Sequence, residues 1–150
     1  MKRFSMLAVA VALAAVIGCA TQVTVTPTHR ENMAAQAKVL AITARDLDHI
    51  VRQHLAEGPE EVAVQAVVDF HAQAENFAGT VSSGRSDEKI NSDYERLIET
   101  YVKLKQTFPN LHSDKFTQEA YARVQYEYEK LARTSGYSNR AYQRKIEEGK

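Results

Sequence analysis

The sequence has little of several features that would indicate a specific chemistry. It contains one cysteine and no tryptophan, and 19 basic and 19 acidic side chains give a formal net charge of zero. A single cysteine excludes an intramolecular disulfide, a Cys-x-x-Cys zinc or redox motif and covalent haem attachment. A balanced charge gives no case for nucleic-acid binding, which requires a basic face. Proline and glycine are also scarce, with three and six in 150 residues, a length that allows one domain.

The first twenty residues have the organisation of a secretory signal. Lys2 and Arg3 precede an uninterrupted apolar run of 12 residues, from Met6 to Ile17. That length is typical of the hydrophobic region of a signal peptide and is too short for a spanning helix, which needs about 20 residues. The run ends in Val16-Ile17-Gly18-Cys19, which includes the only cysteine of the chain.

This ending resembles the lipobox of bacterial lipoproteins, in which a branched apolar residue, a small or apolar residue and Gly or Ala precede the cysteine. The resemblance implies cleavage after Gly18, diacylation of the Cys19 sulfur with chains such as palmitate, and acylation of the new amine. Ala20 stands where aspartate would retain an enterobacterial lipoprotein in the inner membrane, which implies the periplasmic face of the outer membrane. An ordinary secretory signal with a chance cysteine is the alternative.

The remaining chain divides into a tether, a helical domain and a tail. After a signal peptide at 1–18, the sequence predicts a lipidated tether at 19–30, because Thr21 to Thr28 is β-branched, contains Pro27 and has no helical period. The helical domain is predicted at 31–136, and the polar C-terminal tail at 137–150.

Apolar residues recur in steps of four and three throughout the helical domain. This spacing places an apolar stripe along one side of a helix and predicts helices at about 31–57, 60–82, 87–107 and 114–135. In order, the four stripes are Met33, Ala37, Leu40, Ala44, Leu47 and Val51; Ala63, Val67, Phe70, Ala74, Phe77 and Val81; Ile90, Tyr94, Leu97, Tyr101, Leu104 and Phe108; and Tyr121, Val124, Tyr128 and Leu131, with Phe116, Ala120 and Ala132 alongside.

The fold class that follows is all-α. Glycine or proline marks each break between helices, and connections this short make neighbouring helices antiparallel. We therefore expect an up-down-up-down four-helix bundle. Four stripes that satisfy one another within one chain indicate a monomer, while Ile98 and Val102 beside the third stripe offer an alternative dimer surface.

Histidines are the candidate metal ligands. The bundle topology brings His54 and His112 to one end, with His49 a turn and a half below, and these three are the best candidates for a metal site. His71 is expected to face residues 45–48 of the first helix. A di-iron site needs inward carboxylates from all four helices, which the third and fourth stripes lack, and the fourth helix has no histidine for a haem.

No arrangement for catalysis is visible in the sequence. The serines cluster at helix breaks, where capping explains them, and no nucleophile is paired with a base and an orienting acid. Gly-x-Ser-x-Gly, phosphate-loop and dinucleotide-binding motifs are missing. We therefore predict a protein that is not an enzyme and has no cofactor, apart from the lipid on Cys19.

Tyrosines that fall off the apolar stripes are the candidate partner-binding residues. They are Tyr126, Tyr137 and Tyr142, and they lie among arginines that include Arg133 and Arg140. Exposed tyrosine with arginine is typical of protein-binding patches, although a solvated face and tail would look the same. We predict a membrane-anchored periplasmic adaptor that binds another envelope protein, similar in outline to helical pilotin lipoproteins, which carry secretin subunits to the outer membrane. A bundle that binds a metal or small ligand is the alternative.

Overall fold

The computed structural model describes residues 26–53 and 59–136. Within these ranges there is no strand, and the four α-helices are α1 (Pro27–Val51), α2 (Pro59–Ser82), α3 (Asp87–Thr107) and α4 (Lys115–Ser135), with a 3₁₀ turn, Phe108–Asn110, after α3. α1 packs closely on α2 and α4, and α2 packs on α3. This arrangement confirms the predicted four-helix bundle. No helix in the described part of the chain is both long and apolar enough to cross a membrane.

The first helix begins earlier than the sequence pattern predicts. The Thr26 side chain accepts a hydrogen bond from the His29 backbone N–H at 3.3 Å, and Pro27 occupies the first helical turn. Proline suits this position because its fixed φ matches a helix and its missing N–H would have no partner there. Residues 27–30, which we predicted to be extended tether, are therefore helical. The helix also ends earlier than predicted, at Val51, and residues 52–53 form a turn. Residues 54–57 of the predicted helix lie outside the described residues, as does the tether up to residue 25.

The predicted core stripes of the first three helices are all buried, and in the fourth Val124, Tyr128 and Leu131 are buried while Tyr121 is half-buried. Phe116, expected beside the stripe, is 61% exposed, and Thr117 is buried in its place. The Thr117 hydroxyl donates to Asp114 Oδ1 at 2.7 Å, which satisfies its polar atom inside the bundle. Ile98 is also buried in the core of its own chain, so it does not offer a free dimer surface. The buried side of α3 is therefore wider than a single stripe.

Rings connect α3 to α4. Tyr101 and Tyr128 stack with their centroids 3.6 Å apart, and Phe108 stacks on Tyr121 at 3.7 Å. Phe70 of α2 packs against Tyr101 at 5.7 Å, which ties this pair to the rest of the core. α1 supplies alanines to the core (Ala37, Ala41 and Ala44), whereas α3 and α4 supply tyrosines, so small and large side chains interdigitate across the bundle.

Two carboxylates join α2 to α3 at different depths. Asp93 is fully buried and accepts from Thr80 Oγ1 at 2.6 Å and from Lys89 Nζ at 2.7 Å. Burial alone would raise the pKa of Asp93, but the hydrogen bonds from Lys89 and Thr80, with the charges of Lys89 and Arg96, outweigh it and lower the pKa. Nearer the surface, Asp69 accepts from Lys103 Nζ at 2.9 Å.

Candidate functional site

The end of the bundle that contains the α3–α4 loop carries a histidine–carboxylate pair. The His112 backbone N–H donates to Glu60 Oε1 at 3.0 Å, and His112 Nδ1 contacts the same oxygen. The His112 side chain is almost fully exposed, whereas that of Glu60 is about three-quarters buried. An open groove of about 780 Å³ lies beside it. Its lining residues are Phe108, Pro109, Leu111, His112, Ser113, Asp114, Gln118 and Tyr121.

The predicted metal ligands are only partly described by the structure. His49 is exposed on α1, with its Nε2 3.2 Å from Gln53 Nε2, and His112 faces Glu60. His54 lies outside the described residues. Within 26–53 and 59–136, no three or more histidine, cysteine, aspartate or glutamate side chains come together in a group that could hold a metal ion. The three-histidine site therefore stays a prediction.

His71 meets the first helix, as its position in the sequence predicts. Its Nδ1 lies 2.8 Å from Asp48 Oδ2, while Arg52 Nε donates to the other oxygen of that carboxylate at 2.6 Å. A carboxylate only accepts, so His71 Nδ1 carries the proton between them.

This pair looks like the acid and base of a catalytic triad, but its outer nitrogen contacts no hydroxyl. His71 Nε2 lies 3.2 Å from Glu75 Oε1 and makes no hydrogen bond within the described residues. Nucleophilic catalysis would require a hydroxyl or thiol at that nitrogen. The contact between His71 and Asp48 joins α2 to α1.

The outer face of α4 displays the predicted aromatic and basic side chains. Tyr126 is 59% exposed, and Arg133, two helical turns further on, is exposed as well. Arg123, one turn before Tyr126, is also exposed, and neither arginine forms an ion pair with any described residue. Tyr137, Arg140 and Tyr142, predicted to extend this surface, lie outside the described residues.

Exposed apolar side chains concentrate on the neighbouring helices α1 and α4. Of the five large apolar side chains exposed in the described part of the chain, two are on α1, Val39 and Ile42, and two are on α4, Phe116 and Tyr126. The fifth, Val62, is on α2. We did not predict the α1 pair, although both residues lie off the apolar stripe of the first helix. Their off-stripe position was the available signal.

Comparison with known proteins adds no functional residue to this description. Any assignment of function therefore comes from the side chains described above and from the pattern at the N-terminus. No family model, no curated protein and no solved structure matches the chain.

Proposed function

We propose that the protein is a lipid-anchored adaptor of the bacterial cell envelope. It binds another envelope protein through the outer face of α4 and the segment that follows. Tyr126 carries this proposal, because it is exposed between two arginines, Arg123 and Arg133, that have no ion-pair partner in the described ranges. Tyrosine and arginine are the residues that most often supply the binding free energy of protein interfaces. The adjoining residues Tyr137, Arg140 and Tyr142 extend the proposed surface.

The anchor in this proposal is Cys19. The lipobox-like pattern at 16–19 supports acylation of its sulfur, and several acyl chains make a stable anchor where one chain alone is marginal. Thr26 follows Cys19 by seven residues, which span at most about 25 Å when fully extended. In this proposal the start of α1 is therefore held close to the lipid. Ala20 favours the outer membrane over the inner membrane, so the bundle would lie at the periplasmic face of the outer membrane.

The partner surface begins at the same end of the bundle as the anchor. His29 Nε2, near the start of α1, lies 3.2 Å from the backbone oxygen of Ser135, at the end of α4. Arg133 and Gly136 thus lie near the tethered end of the bundle. A partner that reaches them approaches close to the lipid, which favours a protein held in the same membrane.

The test is site-specific photocrosslinking of the full-length, lipidated protein in its native envelope. A crosslinker replaces Tyr126 in one variant and Val62, an exposed apolar residue on α2, in the matched control. We expect one dominant crosslinked protein from position 126 and none above background from position 62. A Cys19→Ser variant tests the anchor separately. The adaptor proposal is wrong if positions 126 and 62 give the same crosslinks.

The second candidate function is metal or small-ligand binding at the opposite end of the bundle. The contact between His112 and Glu60, beside the open groove, favours it because imidazole and carboxylate are ordinary ligands of transition metals. It predicts a stoichiometric metal in protein purified without chelators, and loss of that metal in the triple variant of His49, His54 and His112 to alanine. Metal content near zero would contradict it.

A further inference from the structure

The outer ring nitrogen of His71 is a buried polar atom without a hydrogen bond. The inner nitrogen, Nδ1, carries the proton of the contact with Asp48. A neutral imidazole has a single N–H, so Nε2 then presents a lone pair. Nε2 is buried and has no hydrogen-bond partner among the described residues, although Glu75 Oε1 lies 3.2 Å away. Two atoms that accept hydrogen bonds therefore lie next to each other.

The contact between His71 and Glu75 does not have the geometry of a hydrogen bond. A proton on Nε2 would not point closely enough at the carboxylate oxygen, in spite of the short distance between the two atoms. A cation that lies beside both atoms would satisfy the lone pair of the nitrogen and the charge of the carboxylate together. The geometry therefore favours a shared ion over a shared proton.

The spacing of the two side chains fits a metal ion. His71 and Glu75 are four residues apart on α2, so they lie on the same face of the helix. Zn²⁺ bonds imidazole nitrogen and carboxylate oxygen at about 2.0–2.2 Å. Two ligand atoms that are 3.2 Å apart, each at such a distance from one ion, subtend about 100° there, which is close to a tetrahedral angle. The pair can therefore bind one ion without any movement of the helix.

Asp48 of α1 supports the ring in the way that metal sites require. A histidine that binds a metal usually donates its other N–H to a carboxylate, which fixes the tautomer and the orientation of the ring. Asp48 Oδ2 lies 2.8 Å from His71 Nδ1, and Arg52 Nε donates to the other oxygen at 2.6 Å. The Asp48 side chain is almost fully buried, so the carboxylate is held in place. The contact that joins α1 to α2 thus also directs the lone pair of Nε2 towards Glu75.

The remaining positions around such an ion face water. The Glu75 side chain is 57% exposed, which leaves this side of the site open. Asp48 is turned to the other ring nitrogen, so the protein supplies two ligands rather than the three or four of a resident zinc centre. We therefore expect an ion that exchanges with the solution.

We propose that His71 Nε2 and Glu75 Oε1 bind a divalent transition-metal ion such as Zn²⁺, with Asp48 as a positioning residue and water as the remaining ligands. Imidazole and carboxylate groups together are typical ligands of this class of ion. The site lies between α1 and α2 and shares no residue with the three-histidine site considered above. It requires neither the lipid anchor nor a partner on α4.

Isothermal titration of the full-length protein in detergent with Zn²⁺ tests the proposal, in a background in which the three other candidate histidines are alanine. We expect saturable binding of one ion per chain. His71→Gln should abolish it, and Glu75→Gln should weaken it at least about tenfold. Asp48→Asn should weaken it about 10–100-fold, as loss of a supporting carboxylate does in metal sites. Asp69→Asn, which removes a carboxylate that faces Lys103 of α3, should leave the affinity unchanged.

Nitrogen NMR of the His71 ring separates positioning from a merely structural role. Saturating Zn²⁺ should shift the resonance of Nε2 while Nδ1 keeps its proton. In Asp48→Asn the tautomer with the proton on Nε2 should appear, because the carboxylate no longer fixes the proton on Nδ1. Loss of a structural contact alone would not change the tautomer in this way.

Three results would overturn the proposal. The first is the lack of saturable Zn²⁺ binding in the triple-alanine background, and the second is binding that persists in folded His71→Gln. The third is a proton on Nε2 at saturating Zn²⁺, which would mean an imidazolium between two carboxylates. If His71→Gln does not fold, Glu75→Gln decides the second point, because that side chain is more than half exposed. Crosslinking from position 126 is independent of all three, so failure of this site and failure of the adaptor proposal are distinguishable.

Discussion

Asp93 offers the sharpest test of what holds α2 to α3. Its carboxylate is fully buried and accepts hydrogen bonds from Thr80 and Lys89. Hydrogen bonds to charged groups contribute about 1.5–3 kcal/mol each, and a buried donor left without its acceptor carries a further cost. Lys89 is half-exposed, and water can replace its hydrogen bond when Asp93 is removed. The hydrogen bond from Lys89 therefore contributes less to stability than the one from Thr80.

These contacts set the size of the expected effects. Asp93→Ala removes both hydrogen bonds and leaves the buried Thr80 hydroxyl without this partner, so we expect the free energy of unfolding to fall by about 2–4 kcal/mol. Asp93→Asn keeps an acceptor oxygen for Thr80 but loses the charge and the oxygen that accepts from half-exposed Lys89, so we expect about 1–2 kcal/mol. Either loss is large against the roughly 5–15 kcal/mol that typically separates folded from unfolded domains.

Low pH should reduce the difference in the free energy of unfolding between the unmodified protein and Asp93→Asn. The pKa of Asp93 is lowered in the folded chain below its ordinary value of 3.8. A carboxyl of this kind stabilises the fold fully above the unfolded pKa and loses that contribution as the pH falls through the folded pKa. The difference in stability between the unmodified protein and Asp93→Asn should therefore be constant from pH 5 to 7 and shrink below about pH 4.

Urea unfolding followed by circular dichroism at several pH values provides the measurement, with Asp69→Asn as the matched control. Asp69 joins the same two helices by its contact with Lys103, but both side chains are well exposed to water. Exposed pairs of this kind contribute little, so we expect a loss of about 0.5 kcal/mol or less. Equal losses for Asp69→Asn and Asp93→Asn at pH 7 would refute the reasoning from burial.

Other positions give further expectations. Burial raises the pKa of Tyr94 to about 12, so its absorbance change on ionisation should come near pH 12, and stability should fall between pH 10 and 12; Tyr94→Phe should abolish this late step. Phe77→Ala should cost about 3–5 kcal/mol by thermal or urea unfolding, while exposed Phe116→Ala should change stability by less than about 0.5 kcal/mol. Gly79→Ala, in the last turn of α2 with open space around its added methyl group, should stabilise by about 0.5–1 kcal/mol, whereas Gly84→Ala should destabilise by about 1 kcal/mol because φ there is +68°. A larger loss for Phe116→Ala than for Phe77→Ala would contradict the burial described above. A stabilising Gly84→Ala together with a destabilising Gly79→Ala would contradict the backbone geometry.

Most of the fold was predictable because core positions recur along each helix at alternating intervals of four and three residues. The same step also placed two polar residues inside the bundle, Thr117 and Ser135, which continue the fourth stripe at its two ends. We missed them because the prediction counted only apolar side chains. Thr117 is tolerated by its bond to Asp114, and the Ser135 hydroxyl lies 3.3 Å from the hydroxyl of Tyr94. Satisfied hydroxyls of this kind are visible only when the partner helix is in place.

The candidate sites were less predictable because they depend on contacts between distant segments. The sequence indicated that His71 faces the first helix, but the choice of Asp48 as its partner depends on helix register. The contact between Glu60 and His112 joins residues 52 positions apart, across the end of the bundle.

The contact between His29 and Ser135 also determines how the bundle responds to force. The start of α1 and the end of α4 lie together at this end of the bundle. A force applied between residues 26 and 136 therefore separates α1 from α4 turn by turn, beginning at that contact. Peeling breaks a few contacts at a time, whereas a pull along the helices would load the whole seam together. Optical-tweezer handles at residues 26 and 136 should therefore open the molecule at lower force than handles at 26 and 110. A bundle that is pulled at residues 26 and 136 would therefore unfold before the force across it becomes large.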